Sequence, residues 1–195
     1  SKKNAADAKI TKENLKVGPV YIRSIHVEGY TTAQDQGRLA LEEQGIKTMY
    51  VENVPENADC EKVIRDLIDQ GCNVIYTTSF GFMDWTIKVA KDFPNVKFGH
   101  CSGYKRAENV STYFGKMYEA RYLAGIAAGL KTKTNKIGYV AAFPIPECIR
   151  GINGFARGVQ SVNPDATIEV VWTNTWYDPT VEKQAALEVL NKGCD

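Results

Sequence analysis

The sequence predicts a two-lobe α/β protein built on parallel sheets, and three observations carry that expectation. Short apolar runs alternate with amphipathic helical segments. The order strand, loop, helix, strand, helix occurs twice, from Gly18 to Gly71 and from Gly138 to Gly193. Each repeat also closes alike, Gly71-Cys72-Asn73 against Gly193-Cys194-Asp195. Strands separated by helices must be joined by crossovers, which makes the sheets parallel, and two such units make two doubly wound lobes.

The elements follow in order from Lys16. The apolar run Val17 to Ile22 reads as a strand, and Ala33 to Gln44 as a helix stopped by Gly45. A β-rich run spans Ile46 to Val54. Asn57 then stands as N-cap before a helix with the apolar face Val63, Ile64, Leu67 and Ile68, ended by Gly71. A third strand covers Cys72 to Tyr76, followed by a helix from Phe82 to Asp92, strands over Val96–Cys101 and Val110–Phe114, and a helix from Lys116 to Leu130. The second unit offers strands at Ile137–Val140 and Thr167–Trp172 around a helix from Cys148 to Gln160. Asp178 and Pro179, as N-cap and first helical residue, open a last helix that Gly193 ends.

These assignments divide the chain into a tether at 1–15, an N-terminal lobe at 16–130 and a C-terminal lobe at 131–195. By analogy with the first lobe, a third strand of the second should begin at Cys194, where the sequence ends, so the second lobe is expected to be incomplete in this chain. Further residues, a dimer mate or a swapped partner would then cover its sheet edge.

Composition narrows the function classes. The 195 residues are 44% hydrophobic, and 24 Lys+Arg stand against 23 Asp+Glu without clustering, so nucleic acid is not an expected partner. The longest purely apolar run, Tyr122 to Leu130, is too short to span a bilayer. Five cysteines without CxxC spacing fit neither a disulfide framework nor a zinc ribbon and read as small buried side chains. His26 and His100 have no second ligand at workable spacing, so no metal or cofactor is expected. Ser102-Gly103-Tyr104-Lys105 matches Ser-x-x-Lys, but the further motifs of that chemistry are missing, and no GxGxxG follows the first strand. The chain therefore does not read as an enzyme.

Open parallel sheets bind ligands beyond the carboxyl ends of their strands. The loops there carry aromatics beside polar groups: Glu28-Gly29-Tyr30 after the first strand, Ser79-Phe80-Gly81 after the third, Ser102-Gly103-Tyr104 after the fourth, Phe143 to Glu147 after Ile137–Val140, and Trp176-Tyr177-Asp178 after Thr167–Trp172. Flat rings stack on flat ligands while polar neighbours read the edge. The expected ligand-binding residues are Glu28, Tyr30, Ser79, Phe80, Gly81, Phe143, Glu147 and Trp176.

Several blocks together, Gly29 to Arg38 (GYTTAQDQGR), Tyr50 to Pro55, Thr78 to Asp84 (TSFGFMD), Lys136 to Gly151 (KIGYVAAFPIPECIRG) and Asn174 to Pro179, resemble the basic membrane lipoprotein family over Lys16 to Asp195. Its members are purine or purine-nucleoside binding proteins of ABC importers. The resemblance implies a type I periplasmic-binding-protein fold, an extracytoplasmic protein lipid-anchored after signal removal, and delivery to a membrane permease. It places Tyr30 where many relatives stack a Trp or Phe on the base, Phe80 in the same pocket, and Phe143 and Trp176 closing it from the other lobe. The nucleoside-binding branch has a ribose-holding acidic residue in its first loop. Unless Glu28 takes that role here, the resemblance favours a free base. A ligand-sensing domain of a receptor shares the architecture and is the alternative. A transcription regulator would need a helix-turn-helix for which the first sixteen residues are too few and too polar.

Overall fold

β1 (Lys16–Val20) is the hinge of the first sheet, pairing in parallel with both β2 (Lys47–Thr48) and β3 (Val74–Thr77). β4 (Lys97–Cys101) and β5 (Val110–Tyr113) extend it, also in parallel, to the order β2-β1-β3-β4-β5. A computed structural model of the chain describes residues 7–27 and 29–195. Three helices wind this sheet: α1 (Tyr30–Glu43), α2 (Ala58–Asp69) and α3 (Met83–Asp92), the last entered through a 3-10 turn at Phe80–Phe82. Ile64, Leu67 and Ile68 of α2 and Val89 and Ala90 of α3 bury against Val20, Ile75 and Phe98 of the strands. The helix ends follow local chemistry. The Asn57 side chain accepts from the Asp59 amide at 2.9 Å, and Gly45 and Gly71 take φ of 80° and 97°, which a glycine adopts without steric cost.

The buried face of α1 is polar rather than apolar. Asp35 and Arg38 are both buried; Arg38 Nε donates to Asp35 Oδ1 at 2.5 Å, and the Tyr21 hydroxyl donates to the same oxygen at 3.0 Å. The guanidinium lies 4.4 Å from the Tyr50 ring centroid. Burial, reinforced by the Asp35 bond, pushes the Tyr21 phenol well above its ordinary value, so it stays a donor.

The second compact unit runs from Gly115 to Asp195. Its sheet is the parallel pair β6 (Lys136–Ala141) and β7 (Thr167–Trp172), wound by α4 (Met117–Lys131), α5 (Pro146–Val162) and α6 (Pro179–Asn191). The sequence reading placed the segment of α4 in the first lobe, with a boundary at 130. The units instead divide between Phe114 and Gly115, because α4 packs along α5. Glycines make that packing close: a Cβ at Gly154 would stand 2.6 Å from the Tyr118 carbonyl oxygen, and one at Gly129 would stand 3.1 Å from that of Val159. Gly125 and Gly158 sit tighter still against the Phe155 and Tyr122 carbonyls.

The internal repeat holds at atomic detail. The Asn73 amide donates to the Lys16 carbonyl at 3.0 Å, and the Asp195 amide to the Lys136 carbonyl at 3.0 Å. Cys72 N bonds Leu67 O at 3.0 Å where Cys194 N bonds Val189 O at 3.1 Å. Lys16 and Lys136 reach back to the Gln70 and Lys192 carbonyls, at 2.9 and 3.4 Å.

Part of the stretch read as a tether is ordered. Thr11 and Asn14 exchange side-chain bonds to each other's amides, and the Asn73 amide group donates to the Asn14 carbonyl at 2.8 Å. All five cysteines are free thiols, buried except for half-buried Cys148. No described helix is long and apolar enough to cross a membrane.

Candidate functional site

In the first unit the candidate residues gather at the carboxyl ends of β1, β3 and β4. The loop after β1 is held at two points. Its Ile25 amide donates to Glu52 Oε2 at 2.7 Å, and the Thr32 hydroxyl bonds the Ile25 and Val27 carbonyls at 3.0 and 2.5 Å. Gly29, at φ 116°, turns this loop into α1 and puts Tyr30 in the first helical turn. Tyr30 is 43% exposed, yet its hydroxyl shares its proton between the Thr78 carbonyl and Cys101 Sγ, the latter at 3.2 Å.

The loop after β3 is clasped by one carboxylate. Ser79 Oγ donates to Glu56 Oε2 at 2.9 Å, and the Gly81 amide donates to the same oxygen. Gly81 lies so close that any Cβ would overlap Glu56. Between them the Phe80 ring sits 6.3 Å from that of Tyr104 at a 48° tilt. After β4, Ser102 holds φ 85°, a sparsely populated value for serine, with its amide bonded to the Tyr113 carbonyl at 3.1 Å. Gln34 of α1 completes the group, donating to Cys101 Sγ at 3.6 Å and accepting from the Tyr113 hydroxyl at 3.3 Å.

In the second unit the Phe143 and Trp176 rings meet edge to face, centroids 4.9 Å apart. Their loops are tied by Thr173 N to Ala141 O at 2.8 Å and Asn174 N to Ala142 O at 2.9 Å. Glu147 is half-buried in the first turn of α5, which starts at Pro146. Asp178 caps α6, accepting from the Thr180 and Val181 amides at 3.1 Å. Glu28 lies outside the described residues.

Thus Tyr30, Ser79, Phe80 and Gly81 come together in one unit, and Phe143 and Trp176 in the other. Sequence reasoning missed Glu52, Glu56, Gln34 and Cys101, which hold the loops. The one legible signal was a pair of carboxylates flanking Asn53-Val54-Pro55 in the loop after β2.

His100 is a core side chain: it is 1% exposed, with Nδ1 2.8 Å from the Thr77 hydroxyl and 3.0 Å from its carbonyl. Burial pushes it down to about 4, so the ring is neutral at pH 7. Lys105, the lysine of Ser-x-x-Lys, is paired with Asp84 at 2.6 Å and is not aimed at a nucleophile. A cavity of about 280 Å³ beneath α1 shares Gln34 and Thr78 with the Tyr30 group and is otherwise lined by residues such as Arg38, Tyr76 and Tyr113. The arrangement offers ring faces and fixed polar atoms, the kind of lining that ligand-binding pockets use.

Comparison with known proteins places the chain among its relatives. Residues 15–195 match the family described as ABC transporter substrate-binding protein PnrA-like. A purine-binding protein of Brucella abortus is 45% identical over 187 residues, 94% of this chain and 53% of that protein. A Haloferax volcanii protein named as a candidate ABC transporter glucose-binding protein is 44% identical over 185 residues, covering 94% of this chain and 47% of that one. This chain therefore spans about half the length of these relatives. An ABC transporter solute-binding protein of Aeropyrum pernix superposes with a TM-score of 0.79 at 24% identity, over 92% of this chain and 53% of that one, and so shares the type I periplasmic-binding-protein fold. With the match running over nearly the whole sequence, the chain belongs to the PnrA-like (Bmp) family of ABC transporter substrate-binding proteins.

Proposed function

We propose that this chain contributes the first lobe and part of the second lobe of a clamp that captures a purine base or nucleoside for an ABC importer. The observation that carries the reading is the set of rings at the strand ends: Tyr30 half-exposed with its hydroxyl tied down, Phe80 beside Tyr104, and Phe143 against Trp176. Rings presented in this way suit a flat heterocycle, and the Brucella relative at 45% identity is named for purine binding. In this reading Tyr30 and Phe80 stack on the ligand, the Ser79 to Gly81 loop and Glu147 offer polar edges, and Phe143 and Trp176 complete the enclosure. Glu28 would hold a ribose if the ligand carries one. Binding energy comes from aromatic surface leaving water, and capture favours the closed state through its higher affinity.

The same reading puts the protein outside the cytoplasm, lipid-anchored, with the permease as its partner. By the internal repeat, the edge of β6 where the Asp195 amide bonds the Lys136 carbonyl corresponds to the edge of β1 that pairs with β3, and it suits a further parallel strand. The test is calorimetric titration of the full-length protein with adenine, hypoxanthine, adenosine, guanosine and glucose. Binding of a purine with micromolar or better affinity is the expected result. Binding of glucose with no response to any purine overturns the reading in favour of the ligand named for the Haloferax relative. Native mass spectrometry of the same sample reports the oligomeric state.

A further inference from the structure

We propose that Cys101 is a positioning residue for ligand capture, its thiol helping to hold the Tyr30 ring as a platform already in place before ligand arrives. The proposal rests on the reading of Tyr30 as a ligand-stacking residue and deepens it.

The Tyr30 side chain is anchored at its two ends. Its Cα sits in the first turn of α1, just after the left-handed Gly29, and its hydroxyl bonds the Thr78 carbonyl and the Cys101 sulfur. A side chain held at both ends has a fixed ring plane, although 43% of the residue faces solvent. Without the distal anchor the ring would be ordered only on binding, which weakens affinity by about two- to tenfold for one immobilised side chain.

Cys101 is itself well placed to be a fixed point. It is 3% exposed at the last position of β4, and Gln34 Nε2 approaches its sulfur at 3.6 Å. Gln34 in turn accepts from Tyr113 of β5 at 3.3 Å, so α1, β4 and β5 are joined around one thiol. The adjacent Ser102 amide bonds the Tyr113 carbonyl at 3.1 Å and fixes the strand end that carries the cysteine. Burial, with Cys101 and Tyr76 as neighbours, pushes the Tyr113 phenol well up, so it stays a protonated donor to Gln34.

The test uses the full-length protein and titrates adenine, hypoxanthine, adenosine and guanosine. Cys101→Val fills the same space without an acceptor, and Tyr30→Phe removes the phenol hydroxyl while keeping the ring. Each is expected to weaken the tightest of the four ligands about three- to tenfold. The double variant is expected to be no weaker than Tyr30→Phe, because losing the hydroxyl already removes the contact that Cys101→Val removes, along with the bond to the Thr78 carbonyl. Cys101→Ser, which keeps an acceptor, should fall between Cys101→Val and the parent. Infrared spectroscopy adds a signature that a merely structural role would not move: the S–H stretching band lost in Cys101→Ser should shift in Tyr30→Phe.

Tyr30→Ala separates this proposal from the reading beneath it. Unchanged affinity in Tyr30→Ala rejects the stacking role itself, and binding of none of the four ligands by the parent removes the ground of both. Weakened binding in Tyr30→Ala, with Cys101→Val and Tyr30→Phe within twofold of the parent, rejects only the positioning role of Cys101. Losses that multiply in the double variant, or an unshifted S–H band, reject it as well. Should Cys101→Val fail to fold, Tyr30→Phe and the infrared band carry the decision.

Discussion

Replacing Glu56 by alanine removes the carboxylate that clasps the loop after β3. Two donors lose their partner at once: the Ser79 hydroxyl at 2.9 Å, on a residue 5% exposed, and the Gly81 amide at the start of the turn leading into α3. A hydrogen bond to a charged group contributes about 1.5–3 kcal/mol, and removing the half-buried carboxylate also removes the cost of partly desolvating it. The net loss for Glu56→Ala should therefore be about 2–3 kcal/mol. Glu56→Gln keeps one acceptor and should lose about 1 kcal/mol. Because the freed segment carries Phe80, ligand affinity should fall by about fivefold through lost preorganisation. Gly81→Ala acts from the other side, since its Cβ overlaps Glu56, and it should cost less when Glu56 is already alanine. Urea denaturation of the full-length protein measures the stability change and calorimetric titration the affinity. A loss under about 0.5 kcal/mol in Glu56→Ala, with an unchanged denaturant slope, would refute the clasp.

Other expectations follow from the same structure. His100 titrates at about 4 in the folded chain against 6.5 when free, so the unfolded state binds the extra proton first. Stability is then full at pH 7 and falls as pH drops from about 6.5 toward about 4, by up to about 3 kcal/mol; His100→Gln should flatten that slope in denaturation curves at pH 7 and pH 4.5. Gly158→Ala forces a methyl group into the Tyr122 carbonyl across the α4–α5 contact and should cost about 2–4 kcal/mol, read as a lowered thermal midpoint. Ser102→Gly relieves a left-handed serine at φ 85° and should stabilise by about 1 kcal/mol by the same measurement. Asp178→Ala removes the cap of α6 and should cost about 1 kcal/mol, while Asp178→Ser should retain most of it.

Helix ends, caps and the repeat were legible in the sequence because each is settled within a few residues. Asn57 and Asp178 cap the helices that follow them, Gly45, Gly71 and Gly193 end the helices before them with positive φ, and the Gly-Cys-Asn and Gly-Cys-Asp closures reproduce each other's hydrogen bonds. The candidate rings were legible too, since in parallel sheets the strand-end loops are known once the strands are. Only the tertiary structure decided which distant groups hold those loops. Tyr30 and Cys101 are 71 residues apart, Glu56 and Ser79 are 23, and neither pair leaves a local pattern. The same holds for α4, whose Gly125 and Gly129 matter only against the Phe155 and Val159 backbone of α5, and for Asp35 and Arg38, whose charges look solvent-facing until Tyr21 and Tyr50 cover them. Local chemistry determines where a helix starts and stops; its partner depends on crossovers that bring residues together through space.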